Sequence, residues 1–299
     1  MVQHLNSRSF IDPETLSRLS RLHLNARKAV NGNYSGLHKS THKGASSEFS
    51  QYRNYTRGDD ISLIDWKIYG RSDRYYIKEF DADTNMRLFL LLDCSASMSF
   101  KTLGDSKFEL ARKIVAALAH IGIQQGDAVG LHTFSSKEQF FIPPKTNPRH
   151  LRIINDQLAK INLTGETNIG ETLNDLAVKI PKRSMVVLLS DLFEEPDDII
   201  KGIKHLIYRK HDVAVFHLLN PLELSFEIEN PTTFLDKESN TQLSADPQLM
   251  KQNYLKYFEE YLIKIKGECL SAGVDYLKIK TDQVFEEVLA SFLLSRMHT

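Results

Sequence analysis

From residue 87 onward, the chain alternates between two patterns of apolar residues. The continuous apolar run RLFLLLD at 87–93 is typical of a β-strand covered on both faces, and residues 107–123 carry apolar side chains at helical spacing. Strands that alternate with helices favour parallel pairing and right-handed crossovers. The pattern therefore predicts an α/β fold with a doubly wound, mostly parallel six-stranded sheet. Its further strands are predicted at 128–134, 139–142, 185–189, 213–219 and 274–279, and its further helices at 148–161, 169–180, 197–209, 247–271 and 284–296.

The sequence also predicts how two short strands pair. The strand at 139–142 follows its predecessor after a brief turn at 135–138, so we expect it to be the antiparallel edge of the sheet. Residues 75–83 also read as a strand that leads directly into 87–93. Because 87–93 should already have a neighbour on each side, we expect 75–83 to pair mainly outside the main sheet.

Residues 1–86 and 220–246 do not follow the alternation. We therefore expect an N-terminal accessory region at 1–86 and a sheet domain at 87–299 with an insertion at 220–246. The insertion contains PTTFLDKESNTQLSAD, which reads as a hairpin turning at 238–240. The first 47 residues are rich in Arg and Lys and include a short leucine-spaced helix, which is more typical of a solvated face or a partner contact than of nucleic-acid binding.

Composition narrows the function classes. Among 299 residues, 38 Lys and Arg balance 38 Asp and Glu, which argues against a surface that seeks nucleic acid or membrane. Two distant cysteines form neither a disulfide framework nor a metal motif, and no apolar run approaches the length of a membrane span. The opening MVQHLNSRSF has no apolar signal segment. These features predict a cytoplasmic location without membrane insertion.

The main candidate site follows two of the buried strands. Asp93, Ser95 and Ser97 stand in DCSAS directly after the first strand of the sheet, and Asp191 follows another strand in VVLLSD. The carboxyl ends of parallel strands form the ligand crevice where the strand order reverses. If these strands are neighbours there, their carboxylates meet, and the loop LTGETNIG at 163–170 adds Thr164 or Thr167.

The residue types at this predicted crevice favour a hard divalent cation. Carboxylate and hydroxyl oxygens suit Mg²⁺, Mn²⁺ or Ca²⁺ and do not suit zinc. A metal held by few carboxylates readily accepts another carboxylate from outside. The structural alternative is that DCSAS caps the helix that begins near Ser106, but an N-cap residue stands directly before the first turn, and Ser97 comes several residues too early.

DCSASM, GETN and LLSD resemble the metal-ion-dependent adhesion site of von Willebrand factor A domains. That resemblance covers about residues 87–219 and 270–296. It implies metal contact through Ser95, Ser97 and Thr167, with Asp93 and Asp191 acting through water or in a second layer. The choice of Thr167 over Thr164 rests on this resemblance.

A second resemblance involves the segment upstream of the sheet. GASSEF at 44–49, YTRGDD at 55–60 and IDWK at 64–67 are similar to the signature of a bacterial family known as domain of unknown function fifty-eight. Members of that family often accompany MoxR-type AAA+ ATPases, which implies an adaptor or co-chaperone role beside such an ATPase. Many members carry membrane segments, whereas this chain resembles those without them.

Together these observations predict a non-enzymatic, metal-dependent protein-binding module, with Mg²⁺ (or Mn²⁺ or Ca²⁺) completed by an acidic residue of a protein partner. The alternative is a metal-dependent phosphatase or hydrolase. Phosphotransferases with an aspartate nucleophile normally carry Asp-x-Asp, where the second carboxyl is the general acid, and Ser95 cannot take that role. The sequence also lacks a nucleophile elbow, a Walker A loop and a glycine-rich dinucleotide turn, so no catalytic or cofactor-binding residues are assigned.

Overall fold

A computed structural model describes most of the chain. The described residues are 10–19, 22–26, 35–39, 48–56, 64–72, 74–81, 83–84, 86–102, 104–135, 140–163, 165, 168–228, 232–235, 242–245 and 247–297.

The described residues before the main sheet form two short helices and four short strands. These are α1 (Pro13–Leu19), β1 (Ser35–Lys39), β2 (Glu48–Asn54), α2 (Trp66–Ser72), β3 (Tyr76–Asp81) and β4 (Asp83–Thr84). β2 pairs with β3 and β1 pairs with β4, both antiparallel, in two-stranded sheets separate from the main one. The prediction that 75–83 pairs outside the main sheet is thus confirmed. α1 contacts the main domain, and Ile11, Leu19 and Leu24 belong to its hydrophobic core.

From residue 87 onward, this part of the chain alternates between strands and helices, as the sequence predicted. Its strands are β5 (Arg87–Asp93), β6 (Ala128–Phe134), β7 (Phe140–Lys145), β8 (Met185–Ser190), β9 (Asp212–Leu219), β10 (Thr232–Leu235), β11 (Gln242–Ala245) and β12 (Asp275–Lys280). Its helices are α3 (Lys107–Gln124), α4 (Pro148–Leu158), α5 (Ile169–Lys179), α6 (Pro196–Tyr208), α7 (Pro221–Ser225), α8 (Pro247–Ser271) and α9 (Phe285–Met297). α7 was not predicted.

The main sheet has six strands in the order β12-β9-β8-β5-β6-β7, and all neighbours are parallel except β6 and β7. The chain runs from β5 to β6 and β7 on one side, and through β8, β9 and β12 on the other. The strand order therefore reverses at β5, and the crevice between β5 and β8 lies at that reversal. The predicted fold class is confirmed.

Both faces of the sheet are covered, which explains the uninterrupted apolar run in β5. Leu88, Leu90 and Leu92 point into one core with α3 and α9, while Phe89 and Leu91 point into the other with α5 and α6. This alternation follows the two-residue period of a strand. Asp93 continues the second set, so its side chain leaves the sheet on the side of α5.

The edge strand is longer than predicted. β7 is antiparallel, as expected, but it extends beyond residue 142 through Pro143 and Pro144 to Lys145. Proline has no amide to donate, so it is tolerated on an outer strand, where it blocks further pairing. In the insertion, β10 and β11 form the predicted antiparallel hairpin, whose turn at 238–240 lies outside the described residues.

Among the described helices, none combines the length and the apolar content needed to cross a membrane.

Candidate metal centre

The structure brings Asp93 and Asp191 together at the carboxyl ends of two neighbouring strands. Asp93 is the last residue of β5, and Asp191 directly follows β8, which pairs with β5 in parallel up to Leu92 and Leu189. Asp93 is fully buried and Asp191 is 6% exposed. The two strands are thus neighbours across the reversal, which was the condition for their carboxylates to meet.

Asp93 is held by short bonds from both sides of the crevice. Its Oδ1 accepts a hydrogen bond from the Ser95 amide at 2.9 Å, and its Oδ2 accepts one from the Ser190 hydroxyl at 2.6 Å. Burial raises the pKa of Asp93 well above the usual aspartate value, the Asp191 carboxylate raises it further, and these hydrogen bonds lower it. The ionised form of Asp93 would therefore gain from a nearby cation.

The two serines after Asp93 bring their hydroxyls together. Ala96–Ser99 form a 3-10 turn, and Ser95 stands at its start without capping it through its side chain. The Ser95 and Ser97 hydroxyl oxygens lie 3.0 Å apart. The structural alternative for these residues fails, because α3 is capped by a box between Ser106 and Glu109.

The loop at 163–170 contacts the same turn. The Ala96 amide donates to the Gly165 carbonyl at 3.1 Å, and Gly165 adopts a left-handed φ of 72°. Asn168 then caps α5 by accepting from the Glu171 amide at 2.9 Å. Thr164 and Thr167 themselves lie outside the described residues, so Thr167 as a metal ligand stays a prediction.

The residues present fit a hard divalent cation. The Ser95 and Ser97 hydroxyls are hydrogen-bonded to each other at 3.0 Å. This separation is also about that of adjacent ligands of an octahedral Mg²⁺ with bonds of about 2.1 Å. No group of three or more His, Cys, Asp or Glu side chains in the described ranges could hold a metal ion. Any cation here would therefore depend on hydroxyl oxygens, with the carboxylates behind them.

A buried lysine that sequence reasoning missed belongs to this site. Lys107, the first residue of α3, places its Nζ 2.6 Å from Asp191 Oδ2 and 2.8 Å from Glu223 Oε1 on α7. Burial alone would lower the pKa of Lys107, but the two carboxylates raise it above the usual lysine value. A lysine in the first turn of a helix is unfavourable because the helix dipole is positive there. This unfavourable position is the sequence feature that could have indicated a special role for Lys107.

Ser190 and His217 were also missed. Ser190 ends β8, and its hydroxyl donates a hydrogen bond to Asp93. His217 on β9 is fully buried. Its Nε2 donates a hydrogen bond to the Asp191 carbonyl at 2.9 Å, and its Nδ1 accepts one from the Tyr276 hydroxyl at 2.7 Å. Burial lowers the pKa of His217 to about 4, so the ring is neutral near pH 7 and supports the backbone after β8.

An apolar rim stands beside the polar crevice. Phe193, two residues after Asp191, is 74% exposed and lines a groove with Phe258 and Tyr261 of α8. The Tyr261 hydroxyl donates to the Leu192 carbonyl, which fixes α8 against this loop. Leu192 has a left-handed φ of 53°, a conformation that is uncommon for a leucine and turns the chain sharply after Asp191.

The fold is von Willebrand factor A-like. The crystal structure of BatB from Bacteroides thetaiotaomicron matches with a TM-score of 0.50 and 14% identity, covering 72% of this chain and 100% of that one. The SpRpn10 VWA domain matches with a TM-score of 0.41 and 12% identity, covering 69% of this chain and 94% of that one.

The sequence places the chain within a particular family of this class. The family described as "Protein of unknown function DUF58" matches residues 51–260. The match spans more than half of the chain, which therefore belongs to the DUF58 family, as the upstream motifs implied. Among its relatives is uncharacterized protein Mb1516 of Mycobacterium bovis, 24% identical over 294 residues that cover 95% of this chain and 90% of the relative.

Proposed function

We propose that this protein is a non-enzymatic, metal-dependent protein-binding module. Ser95, Ser97 and Thr167 would contact one Mg²⁺, with Mn²⁺ or Ca²⁺ as substitutes, and Asp93 and Asp191 would act through bound water. A Mg²⁺ site keeps several waters when the protein supplies only part of the shell. An Asp or Glu of a partner protein would replace one of these waters.

The observation that carries the proposal is the convergence of the Ser95 and Ser97 hydroxyls in front of a buried Asp93. Neither hydroxyl is needed to cap α3, because Ser106 performs that task. Burial is the main cause of the raised pKa of Asp93, and the nearby Asp191 carboxylate raises it further, so a divalent cation in the crevice would favour the ionised form of Asp93. Metal binding should therefore also stabilise the fold.

The apolar rim supports a protein as the ligand. An exposed aromatic side chain such as Phe193 next to a polar crevice is typical of an interaction surface. Membership of the DUF58 family, through the association stated above, supports a MoxR-type AAA+ ATPase as the partner. The protein would then act as an adaptor or co-chaperone beside that ATPase.

The surroundings of Asp93 argue against the phosphatase alternative. A nucleophilic aspartate must reach the substrate, whereas Asp93 is fully buried and both of its carboxylate oxygens accept hydrogen bonds. His217 is neutral and bonded at both ring nitrogens, and Lys107 is paired with two carboxylates. Within the described part of the crevice, these groups are occupied in structural contacts.

Melting curves with and without saturating Mg²⁺ test the metal site. We expect Mg²⁺ to raise the melting temperature of the wild type and to have little effect on the double variant Ser95→Ala, Ser97→Ala. Ser99→Ala is the matched control, because its hydroxyl lies in the same turn and bonds the Ala96 carbonyl at 2.6 Å. Equal shifts in wild type and double variant, or no shift in either, would contradict the assignment.

Capture of a purified MoxR-type ATPase from the same genome tests the binding role. Wild type in Mg²⁺ should retain the ATPase, whereas EDTA or the double serine variant should release it.

Turnover of p-nitrophenyl phosphate decides the enzymatic alternative. If the purified protein hydrolyses this ester after contaminants are removed, and Asp93→Asn abolishes the activity, the protein is a hydrolase and the binding proposal is wrong.

A further inference from the structure

Lys107 is buried at the centre of a cluster that joins three elements. Its side chain is 3% exposed, and the side chains of Asp191 after β8 and Glu223 on α7 are 4% and 24% exposed. The Nζ also lies 5.8 Å from the centre of the Phe100 ring. A buried ammonium is stable only with such partners, so Lys107 is committed to this position in the structure.

Glu223 is held in place independently of Lys107. Its Oε2 accepts the Asn220 amide at 2.6 Å, so it forms the capping box of α7 while Oε1 faces Lys107. The Tyr254 hydroxyl of α8 donates to its backbone carbonyl at 3.1 Å. The lysine is therefore fixed between one rigid carboxylate and the carboxylate that follows β8.

The charges of the cluster bear directly on a metal. Asp93, Asp191, Glu223 and Lys107 leave two negative charges when all four are ionised, which one divalent cation would neutralise. However, Asp191 Oδ2 is already bound by the ammonium at 2.6 Å. The lysine and a water bound to the metal would compete for this carboxylate, and two cations that share one carboxylate repel each other.

We infer that Lys107 is a built-in competitor of the divalent cation, which holds Asp191 when the metal is absent and weakens metal binding when it is present. This inference rests on the proposed metal site and adds how its affinity is set. A weak site exchanges its cation readily, so partner binding that supplies a further carboxylate would be needed for tight retention. Lys107 would make metal and partner depend on each other.

Titration calorimetry with Mn²⁺ on the full chain tests the inference. Lys107→Met keeps the length of the side chain without its charge, and we expect it to bind Mn²⁺ at least about tenfold tighter than the wild type. The control is Lys113→Met in the same helix, where the lysine pairs with Asp105 at a half-exposed position. This control should bind Mn²⁺ like the wild type.

A second variant guards against misfolding, because Lys107→Met leaves two carboxylates unpaired. Lys107→Met combined with Glu223→Gln removes one of these charges, and glutamine can still complete the capping box. This double variant should also bind Mn²⁺ at least about tenfold tighter than the wild type. Circular dichroism establishes that each protein is folded before titration.

The outcomes separate this inference from the proposed function. Equal or weaker Mn²⁺ binding in the folded Lys107 variants, with measurable binding by the wild type, overturns the inference alone. Binding by the variants and not by the wild type alone supports the inference. If the wild type then takes up no Mn²⁺ with the MoxR-type ATPase present, the metal-dependent function is overturned. Absence of binding in every folded protein overturns both.

Discussion

The Ser190 hydroxyl donates a 2.6 Å hydrogen bond to Asp93 Oδ2 and joins the carboxyl ends of the two strands that flank the crevice. The Ser190 hydroxyl oxygen also accepts a hydrogen bond from the Leu192 amide at 2.9 Å, so it supports the sharp turn after Asp191. One buried hydroxyl thus sets both the position of a site carboxylate and the path of the loop that carries Phe193.

Ser190→Ala should lower the free energy of unfolding by about 1–3 kcal/mol, since two buried groups lose their partner. It should also weaken Mn²⁺ binding about tenfold, as expected for the loss of a group that orients a site residue. Urea denaturation and calorimetry give the two values. Ser184→Ala, which removes a bond to the Pro181 carbonyl at the other end of β8, should affect stability alone. Unchanged metal affinity in Ser190→Ala would show that this hydroxyl is only structural.

Gly170 allows α5 to approach α6 closely beside the loop that contains Thr167. A Cβ at Gly170 would lie 2.8 Å from the Asp198 carbonyl oxygen, which is backbone and cannot swing away. Gly170→Ala should therefore destabilise the protein by about 1–3 kcal/mol. Gly267→Ala in α8 has nothing within 4 Å and should stabilise it by up to about 1 kcal/mol through helix propensity. Chemical denaturation measures both, and equal effects of the two substitutions would refute the close-packing argument.

His211 should make the fold sensitive to mild acid. Burial lowers the pKa of His211 to about 4. Its Nδ1 accepts a hydrogen bond from the Ser184 amide at 3.3 Å, so this nitrogen cannot carry a proton while the bond is present. A histidine in an unfolded chain has a pKa near 6.5. The unfolded state therefore binds the proton first, so the stabilisation is complete above about pH 6.5 and is lost as the pH falls toward 4.

The full effect of His211 should be on the order of 2–3 kcal/mol across that pH range. His211→Asn keeps an acceptor for the Ser184 amide and removes the titration. Unfolding free energies measured between pH 7 and 4.5 should fall less steeply for this variant than for the wild type. Parallel curves would show that His211 does not titrate in this range. The comparison between the two proteins removes the contribution of His217, which is common to both.

Phe193 should contribute to partner binding but not to metal binding. Phe193→Ser should reduce capture of the MoxR-type ATPase about tenfold, because truncation of an aromatic anchor commonly costs more than 1 kcal/mol. Calorimetric Mn²⁺ affinity should not change. The control is Tyr208→Ser, which removes a side chain that is 81% exposed at the far end of α6. A similar loss of capture in both variants would contradict a specific role for Phe193.

Much of this architecture could be predicted because the signals are local. The apolar run at 87–93 indicated a strand covered on both faces, and the brief turn before β7 indicated its antiparallel pairing. The extension of β7 through Pro143 and Pro144 was missed, since proline within a strand is acceptable only at an edge whose outer side is open. The short helix α7 was missed because five residues are too few to show a period.

The sequence by itself determined the fold class and placed Asp93 and Asp191 at the carboxyl ends of parallel strands, because strand and helix periods report burial. The strand order of the folded sheet made these two strands neighbours. Only the tertiary structure decided how these carboxylates are held. Lys107 is 84 residues from Asp191 and 116 from Glu223 in the chain, and Ser190 is 97 from Asp93. Periodicity shows which face of an element is buried, but a buried ammonium or hydroxyl finds its partners only when separate elements converge, and that convergence depends on packing across the whole sheet.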